Sequence, residues 1–164
     1  MQFRLILIST LVALSMADPD WDYMVFSQEW PPTFCMDKQC KIAKKDFNIH
    51  GLWPSKYSHE QVSDCQGAPP FDAQNLIPIR SKLDLEWSDL FGKSDPTQFW
   101  EHEWDKHGTC AIEDDKIKTE LNYFGVGLAI KQQVDTLNHL AKIQVTPSSN
   151  SYEVSPNFEM QSSL

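Results

Sequence analysis

Residues Phe99-Trp100-Glu101-His102-Glu103-Trp104-Asp105-Lys106-His107-Gly108-Thr109-Cys110 crowd two imidazoles, an ammonium and several carboxylates between tryptophans. A second histidine, His50, stands upstream in Phe47-Asn48-Ile49-His50-Gly51-Leu52-Trp53-Pro54. Together the two segments supply what acid–base chemistry needs. One imidazole can take a proton while another gives one, because histidine titrates near mildly acidic pH. On a helix turning about 100° per residue, Glu103 and His107 share a face, as do His102 and Lys106. Glu103 beside His107 would favour the imidazolium, and Lys106 with His102 would hold an anion. His102 and His107 are five apart, one too many for the His-Glu-x-x-His zinc pattern, so a straight helix splays them. No glycine-rich phosphate loop and no Gly-x-Ser-x-Gly elbow competes. A phosphodiester with a neighbouring 2′-hydroxyl suits such equipment. One imidazole removes the hydroxyl proton, another protonates the leaving 5′-oxygen, and cations stabilise the phosphorane-like transition state. DNA, which lacks that hydroxyl, is excluded by the same mechanism. The reading needs no metal and no cofactor.

The elements that must carry these groups are legible in outline. Asp95-Pro96-Thr97-Gln98 is a helix start, with Asp as N-cap and Pro at the first helical position, and Gly108 a plausible stop. The spacing thus predicts a short helix from about Pro96 to His107. Phe47 and Ile49 alternate with Asn48 and His50, so a strand there turns His50 away from the Phe47/Ile49 face, and Pro54 should end it. An earlier strand is expected within Trp21–Trp30, stopped by Pro31-Pro32. Ser55 to Pro70 reads as loop, and Leu76 to Phe91, interrupted by Pro78, as one or two short helices. Ile117, Leu121, Phe124 and Leu128 form the apolar stripe of a longer helix, read as core packing. Trp100 is expected in the core, and His59 and His139 on the surface.

The chain of 164 residues begins like an export signal: Met1 to Arg4 is basic, Leu5 to Leu14 apolar, and Ser15-Met16-Ala17 offers small residues for cleavage before Asp18. That apolar run is shorter than the roughly 20 residues of a membrane span, so no span is expected in the mature protein. Residues 18–164 fit one domain, with 41% hydrophobic residues to build a core. Cys35, Cys40, Cys65 and Cys110 form an even set in an exported chain, which reads as two disulfides whose pairing the count leaves open. A net charge of −9 excludes a general polyanion binder and leaves nucleic acid only a small local site.

The two histidine segments resemble, in order and separation, the two active-site segments of the ribonuclease T2 family. Gln28-Glu29-Trp30-Pro31-Pro32 and Cys35 are similar to that family's first strand and turn, and the resemblance runs from about Asp22 to Ile143. It implies an α+β fold, a central antiparallel sheet flanked by helices. It also implies an acid endoribonuclease that forms 2′,3′-cyclic phosphates and then 3′-phosphates. By the same resemblance His107 is the general base and His50 the general acid. His102 and Lys106 contact phosphate and transition state, Glu103 is an electrostatic partner, and Trp53 is a base-stacking wall. The implied bridges are Cys35–Cys40 and Cys65–Cys110. The implied setting is the secretory lumen, lysosome or exterior, with a monomer acting on RNA. Thr146 to Leu164 is Ser- and Asn-rich, with one short strand candidate at Tyr152 to Val154. Later sheet strands of the family are therefore expected to be missing. The rival expectation is a truncated, weakly active or inactive form that binds RNA or another partner.

Overall fold

The computed structural model describes residues 19–41, 43–92, 95–148 and 152. The proposed leader, residues 1–17, lies outside them, as do Glu153 and Val154 of the strand candidate. Strand β1 (Tyr23–Glu29) pairs antiparallel with β2 (Asn48–Ser55). Between them, Pro31 opens the short helix α1 (Pro31–Phe34), the position where a missing N–H does no harm. A 3₁₀ segment (Ala73–Ile79) leads into α2 (Arg80–Glu86). Helix α3 (Thr97–Glu103) runs through a π-helical turn (Trp104–Gly108) into α4 (Thr109–Ala111). Helices α5 (Glu120–Gln133) and α6 (Thr136–Lys142) follow. The fold is α+β, and among the described residues the sheet has these two strands.

Three buried tryptophans knit the helices to β2. Trp87, Trp100 and Trp104 are fully buried with Ile49, Leu52, Leu76, Leu83, Tyr123 and Phe124. Each indole N–H donates to a backbone carbonyl: Trp87 to His50 at 2.9 Å, Trp100 to Trp87 at 2.8 Å and Trp104 to Pro69 at 3.2 Å. Large apolar area and a satisfied polar edge thus come from one side chain. The Tyr123 hydroxyl donates to the Leu52 carbonyl at 2.7 Å, tying α5 to β2. The structure pairs Cys35 with Cys40 and Cys65 with Cys110. His59 and His139 are exposed and Trp100 is core.

Several local expectations are corrected. Strand β2 continues past Pro54 to Ser55, which pairs with Tyr23, since proline is tolerated at a strand end. Asp95 accepts from the Thr97 N–H at 2.9 Å, but the N-cap of α3 is Pro96 and the helix starts one residue later than expected, at Thr97. The α-helix gives way at Trp104, and Gly108 does not stop the chain's helical path. Glycine is needed at 108 because a Cβ would stand 2.3 Å from Cε3 of the Trp104 ring. On α5 the buried face is Glu120, Tyr123, Phe124, Gly127 and Leu128, while Leu121 is half-buried and Ile117 is buried just ahead of the helix.

Candidate active site

His50 owes its place to a break in the ladder. Ser27 pairs with Gly51 and Gln28 with Ile49, so His50 is an extra residue of β2 with no partner on β1. Strict alternation would put His50 and Trp53, three apart, on opposite faces. A bulge resets the alternation and re-aims the side chain, and the two rings lie 5.4 Å apart, edge to face. The Trp87 indole N–H fixes the bulge by donating to the His50 carbonyl. Gly51 follows because a Cβ there would fall 2.0 Å from Trp53 Nε1 and 2.3 Å from Glu103 Oε2.

The second segment arrives from α3 and the π-turn. Trp53 Nε1 donates to Glu103 Oε2 at 3.0 Å, and the Trp53 ring lies 5.4 Å from that of His107. Glu103 Oε1 stands 4.0 Å from His50 Nε2. His50, Glu103, Trp53 and His107 are therefore contiguous, joined across the sheet–helix boundary. The wider π-turn, whose closing bond runs from Thr109 N–H to the Trp104 carbonyl, also removes the straight-helix premise about His102 and His107. Lys106 and His102 both lie near enough to His107 to disfavour its charged form. Among the described residues no three His, Cys, Asp or Glu side chains gather as a metal's ligand set.

Burial sets the protonation states. Glu103 is only 2% exposed, and loss of water pushes its carboxyl up to about 7, against the pull of the Trp53 N–H and Lys106. Burial likewise lowers the His107 imidazole to about 4, helped by Lys106 and His102 and opposed by Asp64. This overturns the expectation that Glu103 favours the His107 imidazolium. The Glu103 carboxyl points to Trp53 and His50, and desolvation outweighs any charge partner of His107. At mildly acidic pH the pair is thus a neutral imidazole, free to accept a proton, beside a protonated acid.

His50, His102, Phe99, Glu29 and Asp89 line a cavity of about 570 Å³. His102 is exposed at its rim, and Lys106 is half-buried on the π-turn. Glu29 is a member of this wall that the sequence did not mark as a site residue. Glu29, on β1, places Oε2 3.6 Å from His50 Nδ1. Only the cross-strand register, Glu29 against Asn48, brings it there, so nothing short of that register could have found it.

The model of the ribonuclease T2 family matches residues 21–158. The chain belongs to the ribonuclease T2 family. It is 38% identical over 133 residues to ribonuclease Oy of Magallana gigas, covering 79% of this chain and 62% of that protein. Ribonuclease T2-A of Mus musculus is 34% identical over 137 residues, covering 82% of this chain and 51% of that protein. The crystal structure of human RNase T2 superimposes with a TM-score of 0.71 at 31% identity, over 82% of this chain and 67% of the other. The chain therefore spans between about half and two thirds of the length of these relatives.

Proposed function

We propose that this ribonuclease T2 family member is an endoribonuclease that cleaves single-stranded RNA without a metal, through a 2′,3′-cyclic phosphate to a 3′-phosphate. The observation that carries the reading is the convergence of His107 and His50 on the Trp53 ring, each with its centroid 5.4 Å away, with His107 held neutral by burial. His107 removes the 2′-hydroxyl proton, and the freed oxygen attacks phosphorus. The P–O5′ bond breaks as His50 gives its proton to O5′. In the second step the roles reverse: water adds to the cyclic phosphate, loses a proton to one imidazole, and the ring-opened 2′-oxygen gains one from the other. Lys106 and His102 contribute positive charge where the pentacoordinate phosphate forms. Protonated Glu103 offers a neutral donor rather than a repelling carboxylate, and Trp53 offers a face on which a base stacks. The leader-like first seventeen residues support a secreted or lumenal protein, and the acidic surface supports a local rather than a wrapping contact with RNA.

The reading is tested by incubating purified protein with a single-stranded oligoribonucleotide at mildly acidic pH in excess chelator. Cyclic phosphate ends should appear first and 3′-phosphates later, and His107→Ala and His50→Ala should each slow turnover by at least about 10²-fold. Protein that binds the RNA but forms no cyclic phosphate would favour the non-catalytic alternative, and cleavage lost on chelation would favour a metal mechanism.

A further inference from the structure

Among the described residues, Glu29 is the carboxylate paired with His50 that lies outside both histidine segments. It sits on β1, 12% exposed, and its two oxygens have different duties. Oε1 accepts from Asn48 Nδ2 at 3.1 Å. Oε2 faces His50 Nδ1 at 3.6 Å, the range of an ion pair. Asn48 is itself immobilised: its Oδ1 accepts from the Ser88 N–H at 3.0 Å, and its Nδ2 also lies 3.0 Å from the Ser88 carbonyl. A fully buried amide thus orients a nearly buried carboxylate, which in turn faces one nitrogen of the imidazole. The order amide, carboxylate, imidazole is the order by which a carboxylate fixes the tautomer and tilt of a catalytic histidine.

The bulge is what makes this possible. It releases His50 from the ladder, so its ring must be held by something other than strand pairing. Phe99 and Trp53 bound the ring on two sides, with centroids 6.0 and 5.4 Å away, but apolar walls do not choose between its nitrogens. Glu103 approaches the opposite nitrogen, at 4.0 Å from Nε2; burial raises both carboxyls, but that of Glu29 is drawn back down by the Asn48 N–H and by His50 itself. Glu29 is thus the group that distinguishes Nδ1.

We propose that Glu29 is a positioning residue: its carboxylate holds the Nδ1–H of His50 and so presents Nε2–H to the leaving oxygen. The proposal rests on the reading of His50 as general acid. In the step it serves, the P–O5′ bond breaks and the Nε2 proton passes to O5′. His50 is left neutral with Nδ1–H still directed at Glu29, and Glu29 exchanges no proton. Glu29→Gln keeps the side-chain volume and the Asn48 contact but removes the charge, and its amide can face Nδ1 with a donor.

The test compares two substrates that differ only in leaving group. A ribodinucleotide must expel an alkoxide and needs the acid. Uridine 3′-(4-nitrophenyl phosphate) expels a stable phenolate and needs only the base, His107. Glu29→Gln should lower kcat on the dinucleotide by at least about 10- to 100-fold, the loss seen when an outer-shell group orienting a metal-bound histidine is removed, with KM little changed. Turnover of the aryl ester should stay at the wild-type level, which also reports that the variant is folded. Glu29→Asp, one methylene shorter, should fall between wild type and Glu29→Gln on the dinucleotide and leave the ester untouched. Equal losses on both substrates in both variants, or full dinucleotide activity in Glu29→Gln, would overturn the proposal. His50→Ala run in parallel separates the two levels. If it spares the ester and the Glu29 variants do not, the role of Glu29 fails alone; if it too slows both substrates equally, the role of His50 fails and takes this proposal with it.

Discussion

Glu103 and His107 are perturbed in opposite directions by one cause, removal from water, and the signs can be followed through to stability. The folded chain keeps the Glu103 proton up to about pH 7, whereas the unfolded carboxyl releases it near 4.5. The stability contribution of Glu103 therefore falls as pH rises through that window. For His107 the unfolded imidazole takes up a proton near 6.5 and the folded one only near 4, so stability is lost as pH falls between those values. Glu103→Gln removes the first effect alone. It should raise the unfolding free energy at pH 8 by on the order of 1–3 kcal/mol and leave it unchanged at pH 4, which urea titrations at the two pH values would show. A gain of the same size at both would contradict the assignment. The second shift has a kinetic counterpart: the acidic limb of kcat/KM should fall near pH 4 rather than near 6.5. At this scale the sequence was readable wherever the group lay in a continuous motif. His50, Trp53, His102, Glu103, Lys106 and His107 were all identifiable that way. The protonation states were not, because spacing shows which groups are neighbours in sequence and not how much water each one loses.

Two irregular elements bring the motif residues together, and both were hidden from periodicity. Ideal alternation separates His50 from Trp53, and an ideal helix splays His102 from His107. The bulge at His50 depends on an indole donated from Trp87, 37 residues away, and the π-turn is occupied by the Trp104 ring lying over Gly108. Such devices cluster at functional sites, where local rules yield to distant contacts. The regular parts were legible for the complementary reason. The turn that Asp95 makes into α3, the Pro31 stop and the alternation around Ile49 are decided by residues close in sequence. Gly108→Ala tests the π-turn directly. Its Cβ would stand 2.3 Å from Cε3 of the Trp104 ring, so overpacking should cost about 1–3 kcal/mol in urea unfolding and lower turnover through displaced His107. Wild-type stability and turnover in that variant would show that the turn does not depend on glycine.

Over the whole molecule, the site is a seam between strands β1 and β2 and a tryptophan-rich helical layer, and a disulfide closes it. Cys65–Cys110 joins residues 45 apart, and the adjoining Asp64 N–H donates to the Lys106 carbonyl at 2.9 Å, so the loop after β2 is fastened once to α4 and once to the π-turn. Replacing Cys65 and Cys110 together with Ala should lower stability by about 2–5 kcal/mol and slow RNA cleavage more than it weakens RNA binding, as paired calorimetric and turnover measurements would show. The fold class could be read from the family resemblance, and the core from its aromatic and aliphatic residues. The seam could not, since it is made by contacts between segments about fifty residues apart, as Trp53 with Glu103. The central claim is that His50 and His107 are partners in metal-free transesterification. Its most direct test is a time course of a single-stranded oligoribonucleotide at mildly acidic pH in chelator, comparing wild type, His50→Ala and His107→Ala. The account predicts transient 2′,3′-cyclic phosphate ends from the wild type and at least about a 10²-fold loss in each variant. Full-rate cleavage by His107→Ala, or wild-type protein that yields no cyclic phosphate, would contradict it.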